Sequence, residues 1–488
     1  MTGTTTRRLS TGIDGLDAVV GGGFISTRSY LVRGEPGTGK TILGLHYLTA
    51  GAANDENCLF VHLEEPERNI RDNATTLGLD LSGIEFLDLS PDATVFTEDR
   101  QYDVFAPEEV DGPSIRESII ERVRVVDPDR VFVDPLSQFR HLAPDEYQFR
   151  KQVTGFMQFL KDQEATVVFT SQETPQTPDD DLQYLSDGTV SLARGRRGRT
   201  VTVPKFRGSD TANGEHAVRI GDDGMAVFPI LRPESHHEAF AADSISSGVP
   251  EVDQLLHGGL ERGTVTILSG PTGVGKTTLG TQFMKEAAGR GERSVIYMFE
   301  EDKGTFLARS EAVNIPASRM IDRGTLAVEP VEPLERSPAE FASMVRREVE
   351  SRDAEIVMID GIDGYRLSIQ GAESELEREL NSLSRYLKNM GVAVILVDSV
   401  DAITGEFRPT SDGVSYLADN IVFLRYIEVE GVLRKAIGVL KKRTSDFERS
   451  LREFEITKHG ITVGDSLDGL RGVLSGAPEF AAEFEGER

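Results

Sequence analysis

Short apolar runs rich in β-branched residues alternate along this chain with segments of helical periodicity, and both halves show the same order. Runs of this kind lie at 30–33, 58–63, 131–134 and 166–170 in the first half, and at 265–269, 295–299, 356–360 and 392–397 in the second. Unbroken apolar strands that alternate with helices are typical of a parallel sheet covered by helices on both faces. The pattern predicts an α/β fold in which each half ends in a β-hairpin region, at 190–206 and 421–440.

One helix in the second half has an especially regular apolar stripe. Leu376, Leu380, Leu383 and Leu387 follow one another at intervals of three or four residues. Because residues with this spacing share one face of a helix, we expect the stripe to pack in the core and not to bind a partner.

The two halves of the chain are copies of one unit. The repeated segments are STGIDGLD at 10–17 with SSGVPEVD at 246–253, and GEPGTGKT at 34–41 with GPTGVGKT at 270–277. Chance does not preserve one offset, 236 residues, over several landmarks, so the repeat predicts two domains of one fold. We place a first domain at 1–232, a linker at 233–245, a second domain at 246–477 and an acidic tail at 478–488.

The charge of the chain excludes some classes of function. Of 488 residues, 81 are acidic and 53 are basic, which gives a formal net charge of −28. Because excess carboxylates keep a protein dispersed in concentrated salt, we interpret the composition as a halophile adaptation, with an ordinary acidic protein as the alternative. The charge also argues against nucleic-acid binding, which requires a basic surface.

The sequence predicts a cytoplasmic protein that does not enter membranes. Its single cysteine, Cys58, excludes an intramolecular disulfide and is typical of a reducing compartment. The N-terminal residues lack the apolar core of a secretory signal, and apolar runs such as 392–397 are far too short to cross a bilayer.

Both halves carry the phosphate-binding pattern GxxxxGK[ST] between an apolar strand and a helical segment. In this context backbone amides surround the β- and γ-phosphates, Lys40 and Lys276 neutralise them, and the following threonines ligate Mg²⁺. The sequence therefore predicts two ATP sites with Mg²⁺ as cofactor. The residues expected at ATP are Gly34, Glu35, Pro36, Gly37, Thr38, Gly39, Lys40 and Thr41, and Gly270, Pro271, Thr272, Gly273, Val274, Gly275, Lys276, Thr277 and Thr278.

Carboxylates at strand ends complete each predicted metal site. Asp134 and Asp360 end the apolar segments RVFVD and EIVMID. A carboxylate at the C-terminal edge of a parallel strand beside a phosphate loop holds Mg²⁺ or its water shell. We therefore predict that Thr41 with Asp134, and Thr277 with Asp360, serve the metal, with a turn-capping aspartate as the alternative.

A pair of glutamates follows another strand of each half, Glu64 and Glu65 after LFVHL and Glu300 and Glu301 after VIYMF. Neighbouring residues of a strand point to opposite faces, so only one of each pair is expected to face the γ-phosphate. That carboxylate could orient and deprotonate the attacking water. The sequence leaves open which glutamate it is, and also whether both merely favour the start of the next helix.

Two basic segments end the hairpins of the halves at the same offset. Lys205 and Arg207 lie in the first, and Lys441 and Arg443 lie in the second. They are far along the chain from the phosphate loops, and such a pair could project from the subunit edge to a neighbouring subunit's nucleotide as an arginine finger does. A solvated strand end is the alternative.

Together these motifs resemble the KaiC family of double RecA-like ATPases over essentially the whole chain. The resemblance rests on STGIDGLD and its copy, both phosphate loops, both glutamate pairs, both K-x-R segments, and the C-terminal stretches REFEITKHGI and LSGAP. It implies two tandem RecA-like domains in stacked rings, usually homohexamers, with ATP at the subunit interfaces and the K-x-R residues on the neighbour's phosphates. It also implies a slow ATPase in the first repeat, self-phosphorylation in the second, and protein partners for the C-terminal tail. For the tail, a frayed chain end without a binding role is the alternative that we favour from the sequence.

The sequence departs from the family where the second repeat is phosphorylated. A neighbouring serine and threonine of the family are matched by Ser415 and Tyr416, which leaves Ser415 as the candidate phosphoacceptor. Tyr184 takes the place of Tyr416 in the first half, so we interpret the tyrosine as a structural residue of the repeat. A segment that only packs before the next strand is the alternative. Thr444 also replaces a glycine of the family that the first half keeps as Gly208.

Three functions are compatible with these motifs. The first is a KaiC-like ATPase, with candidate serine/threonine autokinase activity, that acts as a signalling or clock-type switch. The second is a RecA-like DNA recombinase or DNA motor, because one fold can serve both; only the cluster RGRRGR at 194–199 supports it, and that cluster also fits a solvated hairpin turn. The third, a scaffold with structural ATP, is disfavoured because both halves keep a complete catalytic set. We expect the first.

Overall fold

A computed structural model describes residues 7–90, 112–172, 179–195, 198–241, 243–369, 373–400, 410, 414–468, 470–471 and 479–480. The chain divides into two units, Met1–Ile230 and Leu231–Arg488. Within the described residues each unit contains one nine-stranded sheet with helices packed on it, which confirms the predicted tandem α/β architecture.

The first unit begins with the repeated motif at 10–17 and contains the following elements. Its strands are β1 (Arg8–Leu9), β2 (Phe24–Ile25), β3 (Ser29–Arg33), β4 (Cys58–His62), β5 (Ile84–Asp88), β6 (Arg130–Asp134), β7 (Thr166–Ser171), β8 (Gly188–Gly195), β9 (Gly198–Phe206), β10 (His216–Gly221) and β11 (Gly224–Phe228). Its helices are α1 (Asp14–Val19), α2 (Lys40–Ala52), α3 (Glu67–Thr76), α4 (Gly112–Val126), α5 (Glu146–Asp162) and α6 (Asp180–Leu185), with a 3-10 helix at Leu136–Leu142.

The second unit repeats this series of elements. Its strands are β12 (Ser244–Ile245), β13 (Leu260–Glu261), β14 (Val265–Gly270), β15 (Arg293–Met298), β16 (Leu326–Pro330), β17 (Ala354–Asp360), β18 (Ala393–Ser399), β19 (Asn420–Val429), β20 (Val432–Lys442), β21 (Arg452–Thr457), β22 (Gly460–Ser466), β23 (Leu470–Arg471) and β24 (Glu479–Phe480). Its helices are α7 (Pro250–Leu255), α8 (Lys276–Gly289), α9 (Lys303–Ala312), α10 (Ala317–Asp322), α11 (Pro338–Arg352), α12 (Ile362–Ser368) and α13 (Glu373–Asn389), with a 3-10 helix at Pro233–Ser235.

The two sheets have the same topology. The strand order is β11-β10-β9-β8-β3-β7-β6-β4-β5 in the first unit and β22-β21-β20-β19-β14-β18-β17-β15-β16 in the second. The six strands from β8 to β5 pair in parallel, as do their six counterparts from β19 to β16. Parallel strands bring their C-terminal ends to one edge of the sheet, and β3 and β14 lie at the centre of that edge.

The prediction that each half ends in one hairpin region was incomplete. After β8–β9 and β19–β20, a second antiparallel hairpin follows, formed by β10 with β11 and by β21 with β22. The turn between β10 and β11 lies in the sequence GDDG at 221–224, a hairpin signal that the apolar pattern did not reveal because these strands are short and half-exposed.

Helices α2 and α8, which follow the phosphate loops, pack against the sheets with most of their length buried. Apolar side chains cover both faces of each sheet in large clusters, and a further small cluster surrounds Ile427 and Ala436 in the second unit. The leucine stripe of α13 is buried in one of these clusters, which confirms its predicted core position. The repeated SxGxxxxD motif closes a turn: the Asp17 carboxylate accepts hydrogen bonds from Ser10 Oγ and Thr11 N, and Asp253 does the same in the second unit.

The segment predicted as a linker has contacts with the second unit. Pro233 is buried, and its carbonyl accepts a hydrogen bond of 2.9 Å from Asn389 Nδ2. His236 lies 3.3 Å from the Glu350 carboxylate and edge-on to the Tyr386 ring. In the described part of the chain, no helix combines the length and the apolar character that a membrane span requires.

Candidate functional site

The phosphate loop of the first unit joins the C-terminal end of β3 to α2. Gly34 and Gly39 have φ angles of 149° and 107°, and a Cβ at Gly34 would lie 2.3 Å from the Leu192 carbonyl oxygen. Both positions therefore require glycine. Lys40 Nζ donates to the carbonyls of Gly34 at 2.8 Å and Glu35 at 3.1 Å, so its ammonium lies inside the curve of the loop. Burial lowers the pKa of Lys40, and Asp134 and Glu64 oppose that shift.

The second loop has the same geometry between β14 and α8. Gly270 and Gly275 have φ angles of 153° and 118°, and a Cβ at Gly270 would lie 2.2 Å from the Leu424 carbonyl oxygen. Lys276 Nζ donates to the carbonyls of Gly270 at 2.7 Å and Pro271 at 3.0 Å. Burial lowers the pKa of Lys276, whereas nearby carboxylates raise it. A loop curved around an ammonium at a helix N-terminus fits a polyphosphate.

Each strand-end aspartate lies beside the loop threonine of its own unit. Thr41 Oγ1 is 2.6 Å from Asp134 Oδ2, and Thr277 Oγ1 is 2.9 Å from Asp360 Oδ1. Burial raises the pKa of Asp134, and burial raises the pKa of Asp360 to about 6. A divalent cation at this point favours the ionised carboxylates, and hydroxyl and carboxylate oxygens suit Mg²⁺, so the donor set fits that ion.

Among the described residues there is no group of three or more His, Cys, Asp or Glu side chains that could hold a metal by themselves. This agrees with the way Mg²⁺ usually binds in such sites, where one or two protein oxygens act together with phosphate oxygens and water. The threonine–aspartate pairs are therefore fit to hold the metal only in company with the nucleotide.

The glutamates of the first pair face different surroundings. Glu64 is exposed, and its carboxylate accepts hydrogen bonds from the amides of Gln138 and Gln172, the latter at 2.9 Å. It is also close enough to raise the pKa of Lys40. Glu65 turns to α3, where Asn73 Nδ2 donates to it at 3.0 Å. Glu64 is thus the carboxylate on the phosphate-loop side.

The second pair divides in the same way. Glu301 forms an ion pair of 2.7 Å with Arg309 of α9. Glu300 is exposed and lies against the backbone after β17, since a Cβ at Gly361 would be 2.7 Å from its Oε1 and a Cβ at Gly364 would be 3.1 Å from its Cγ. Glu300 raises the pKa of the loop lysine Lys276, whereas both glutamates of the pair raise the pKa of Asp360. The first glutamate of each pair therefore faces the loop.

The basic segments lie at the opposite edge of the sheet from the loop of their own unit. The Arg207 amide donates to Asp187, whose own amide donates to Ser29 at the start of β3. Five strand residues at about 3.3 Å each separate this level from the phosphate loop, about 16 Å along the strand. Arg207 and Arg443 are 58% exposed, and each pairs with an aspartate, at 3.5 Å to Asp187 and 3.2 Å to Asp419.

The lysines of these segments bind the turn that precedes the hairpin. Lys205 Nζ donates to the Ser186 carbonyl at 2.6 Å, and Lys441 Nζ donates to the Ala418 carbonyl at 2.7 Å. The two segments thus hold the same fixed position in both units. In both units the segment is tied to the turn before the hairpin and not to the phosphate loop of its own unit.

Ser415 is exposed in a turn just before β19. Tyr416 and Tyr184 are 53% and 81% exposed, so neither ring belongs to the core of its own unit, in contrast to the expected structural role. The Ser415 turn is joined to the basic segment because Lys441 and Arg443 bind Ala418 and Asp419. The tail at 478–488 lies outside the described residues except for Glu479–Phe480.

Sequence reasoning missed several residues around the two loops. Gln138 and Gln172 at Glu64 were not predicted, and neither was Arg199, whose guanidinium is 3.4 Å from the Gly37 carbonyl at the tip of the first loop. In the second unit, Tyr426 occupies this region, with its hydroxyl 3.4 Å from a Cβ built on Gly273. These residues carry no motif, and only the strand register brings them to the site.

Comparison with known proteins agrees with this geometry. A family model described as the KaiC ATPase matches residues 9–232 and 245–468. The chain is 28% identical to the circadian clock oscillator protein KaiC of Prochlorococcus marinus subsp. pastoris, over 97% of this chain and 94% of that protein. It is 27% identical to the circadian clock protein KaiC3 of Synechocystis sp., over 99% and 96% of the two chains.

Proposed function

Because the chain belongs to the KaiC ATPase family, we propose that it binds and hydrolyses ATP at two sites, one in each unit, and thereby acts as a nucleotide-dependent signalling or clock-type switch. The observation that supports this proposal is the recurrence of one chemical set, a loop lysine, a threonine–aspartate pair and a loop-facing glutamate, at matching positions of both sheets. We also propose that the protein acts in the cytoplasm.

The loop residues bind and orient the triphosphate. Residues 34–41 and 270–278 present backbone amides at a helix N-terminus, and Lys40 and Lys276 exchange their carbonyl partners for phosphate oxygens. Thr41 and Asp134 in the first site, and Thr277 and Asp360 in the second, would hold Mg²⁺, which would neutralise charge at the phosphates. Negative phosphate oxygens favour the charged form of a nearby ammonium group. A bound triphosphate therefore counteracts the effect of burial on the pKa of each lysine, and no change of protonation is needed.

Glu64 and Glu300 are the carboxylates that orient the attacking water and accept its proton. Both are exposed towards the loop, whereas Glu65 and Glu301 are engaged with α3 and α9. A positioned general base contributes about 10²- to 10⁴-fold to a rate.

The basic segments act on the nucleotide of a neighbouring chain. Lys205, Arg207, Lys441 and Arg443 lie far from the loops of their own units. The guanidinium groups of Arg207 and Arg443 are more than half exposed, which suits an arginine finger supplied in trans. This requires a ring in which each chain completes its neighbour's site, and we propose the homohexamer that the family resemblance implies. The tail at 478–488 is proposed to bind protein partners.

The base assignment is tested by matched glutamine variants. Glu64→Gln/Glu300→Gln should lower ATP turnover by about 10²-fold or more with ATP still bound, because the base is lost but the loops are intact. Glu65→Gln/Glu301→Gln should retain most turnover. Equal losses in the two double variants would show that the assignment is wrong, and full turnover in both would remove the hydrolytic role of the pairs.

Autophosphorylation of Ser415 is a second candidate activity. The supporting observation is that the exposed Ser415 turn is tied to Lys441 and Arg443, so a residue that reaches a neighbour's γ-phosphate would bring this hydroxyl with it. Transfer would form a serine phosphoester and release ADP. Intact mass after incubation with MgATP in concentrated KCl should show one phosphate per chain, absent in Ser415→Ala; no mass gain would exclude the kinase.

The DNA-motor alternative is the weaker proposal. Its only support, the cluster at 194–199, contains Arg199, which lies over the first phosphate loop and so belongs to the nucleotide site. A net charge of −28 also opposes binding to phosphate backbones. A salt titration of DNA binding separates the functions: affinity that rises steeply at low salt would support a motor, and no binding would exclude it.

A further inference from the structure

The two candidate bases are held in different ways although their positions correspond. Both oxygens of the Glu64 carboxylate accept a hydrogen bond, Oε1 from Gln138 and Oε2 from Gln172 Nε2 at 2.9 Å. In the described residues of the second unit no side chain donates to the Glu300 carboxylate, which instead lies over the backbone of Gly361 and Gly364. Glu64 and Glu300 are the proposed general bases, so the two sites differ at the carboxylate that would accept the proton of the attacking water.

The two glutamines occupy positions that the second repeat fills with small residues. Gln138 lies four residues after Asp134, and Gly364 lies four residues after Asp360. The strand register relates Gln172 to Ser399. Ser171, just before Gln172, pairs with Arg33 of β3 in the first unit. Asp398, just before Ser399, pairs with Ser269 at the same level of β14 in the second. Neither Gly364 nor Ser399 can reach a glutamate carboxylate as a glutamine amide does.

We propose that Gln138 and Gln172 are positioning residues for Glu64, and that they make the first site a pre-organised one which the second site is not. This inference rests on the proposed hydrolysis of ATP at the first site. Glu64 is exposed, so without the glutamines its side chain would sample several rotamers at no cost in packing. Two amides from separate elements, the 3-10 helix at Leu136–Leu142 and the end of β7, restrict it to one orientation.

Both glutamine amides donate their hydrogen bonds to the Glu64 carboxylate, so neither competes with it for the proton of the attacking water. A carboxylate oxygen has two lone pairs, and one remains available at each oxygen after the amide is bound. The attacking water can therefore be held by Glu64 while the glutamines keep the carboxylate in place. Positioning of this kind raises kcat and leaves ATP affinity unchanged, because neither glutamine is expected to contact the bound nucleotide.

The neighbouring pair offers a matched control. Asn73 is also an exposed amide donor to a glutamate, at 3.0 Å, but its partner is Glu65, which faces α3. A general effect of lost surface hydrogen bonds would appear equally in Asn73→Ala. A positioning effect on the base would appear only in variants of Gln138 and Gln172.

The experiment measures kcat and KM for ATP at the first site alone, in the full chain carrying Lys276→Ala. Replacement of glutamine by methionine keeps the length of the side chain and removes the donor. We expect Gln172→Met to lower kcat about tenfold with KM within about twofold of the parent, the double variant with Gln138→Met to lower it further, and Asn73→Ala to leave both constants unchanged.

The proposal is overturned if kcat of the double methionine variant equals or exceeds that of the parent while ATP remains bound, or if Asn73→Ala loses as much. Should Gln138→Met fail to fold, Gln172→Met still decides, because Gln172 lies at a partly exposed strand end. A Lys276→Ala parent with no turnover at all would overturn the proposed hydrolysis at the first site and this inference with it, and that failure is distinguishable because it precedes any glutamine substitution.

Discussion

His46 and Gln282 occupy the same position in the helices that follow the two phosphate loops, but only the histidine side chain can be titrated. His46 is buried, and its Nε2 accepts a hydrogen bond of 2.7 Å from the Met225 amide in the hairpin of β10 and β11. Gln282 is buried in the second unit and donates to the Ser247 carbonyl at 2.8 Å. The stability of the first unit therefore depends on the protonation of His46, whereas glutamine at the same position of the second unit adds no such dependence on pH.

The first unit should lose stability in weak acid because of His46. Burial lowers the pKa of this imidazole below its ordinary value of 6.5, so the folded state binds fewer protons than the unfolded state. The stabilisation is complete above pH 6.5 and is lost as pH falls through that value towards the folded pKa. Unfolding midpoints measured between pH 5 and 7.5 should fall less in His46→Gln than in the wild type; parallel curves would contradict this.

The strand-end aspartates show a similar difference at the residue scale. Asp134 accepts hydrogen bonds from Thr41 and from Thr170, whereas the residue of β18 that corresponds to Thr170 is Val397. Sequence alone could not predict this, because β7 and β18 carry no motif and the contact depends on strand register. The loop residues were predictable, since glycine, lysine and threonine act there within one turn of chain.

At the scale of elements, the apolar pattern predicted the parallel strands and their helices, because buried strands are continuous apolar runs. It did not predict the second hairpin of each unit, which packs against the phosphate-loop helix: a Cβ at Gly39 would lie 2.7 Å from Ile220 and Met225. Those short strands have mixed patterns, and they are fixed by contacts with a distant helix. The hairpin therefore belongs to the support of the nucleotide loop.

Two glycines within helices should respond in opposite ways to alanine. A Cβ at Gly44 of α2 would lie 2.0 Å from the Phe132 ring, so Gly44→Ala should destabilise the first unit by about 1–3 kcal/mol. Gly155 of α5 is exposed with no atom within 4 Å of an added Cβ, so Gly155→Ala should stabilise it by about 0.5–1 kcal/mol. Denaturant unfolding measures both, and shifts of equal sign would refute the packing of α2 on β6.

At the scale of the whole molecule, the proposed function depends on chains that complete one another's sites. The negative charge of −28 must be screened for such chains to associate, so assembly with MgATP should require concentrated KCl. Sedimentation with saturating MgATP in high salt should show a ring-sized species. A monomer under these conditions would exclude the trans role of the basic segments.

Mixing two inactive variants tests that trans role directly. With Lys276→Ala in both partners, a Lys40→Ala chain lacks its own nucleotide but supplies Arg207, and an Arg207→Ala chain binds ATP but supplies no arginine. In rings mixed at random in equal amounts, about a quarter of the sites combine an intact loop with an intact neighbour. Turnover should recover to about that fraction of the parent, and no recovery in assembled mixed rings would show that Arg207 does not act on a neighbour.

The central claim is that each chain contains two sites that hydrolyse ATP. Its most direct test is the turnover per chain, in MgATP and concentrated KCl, of Lys40→Ala, Lys276→Ala and the double variant. Lys285→Ala serves as the control, because this partly exposed lysine lies on α8 after the phosphate loop and donates to the Asn314 carbonyl. We predict that each single variant keeps the turnover of its intact site and that the double variant keeps none. Undiminished turnover in the double variant, or complete loss in either single variant, would contradict the account.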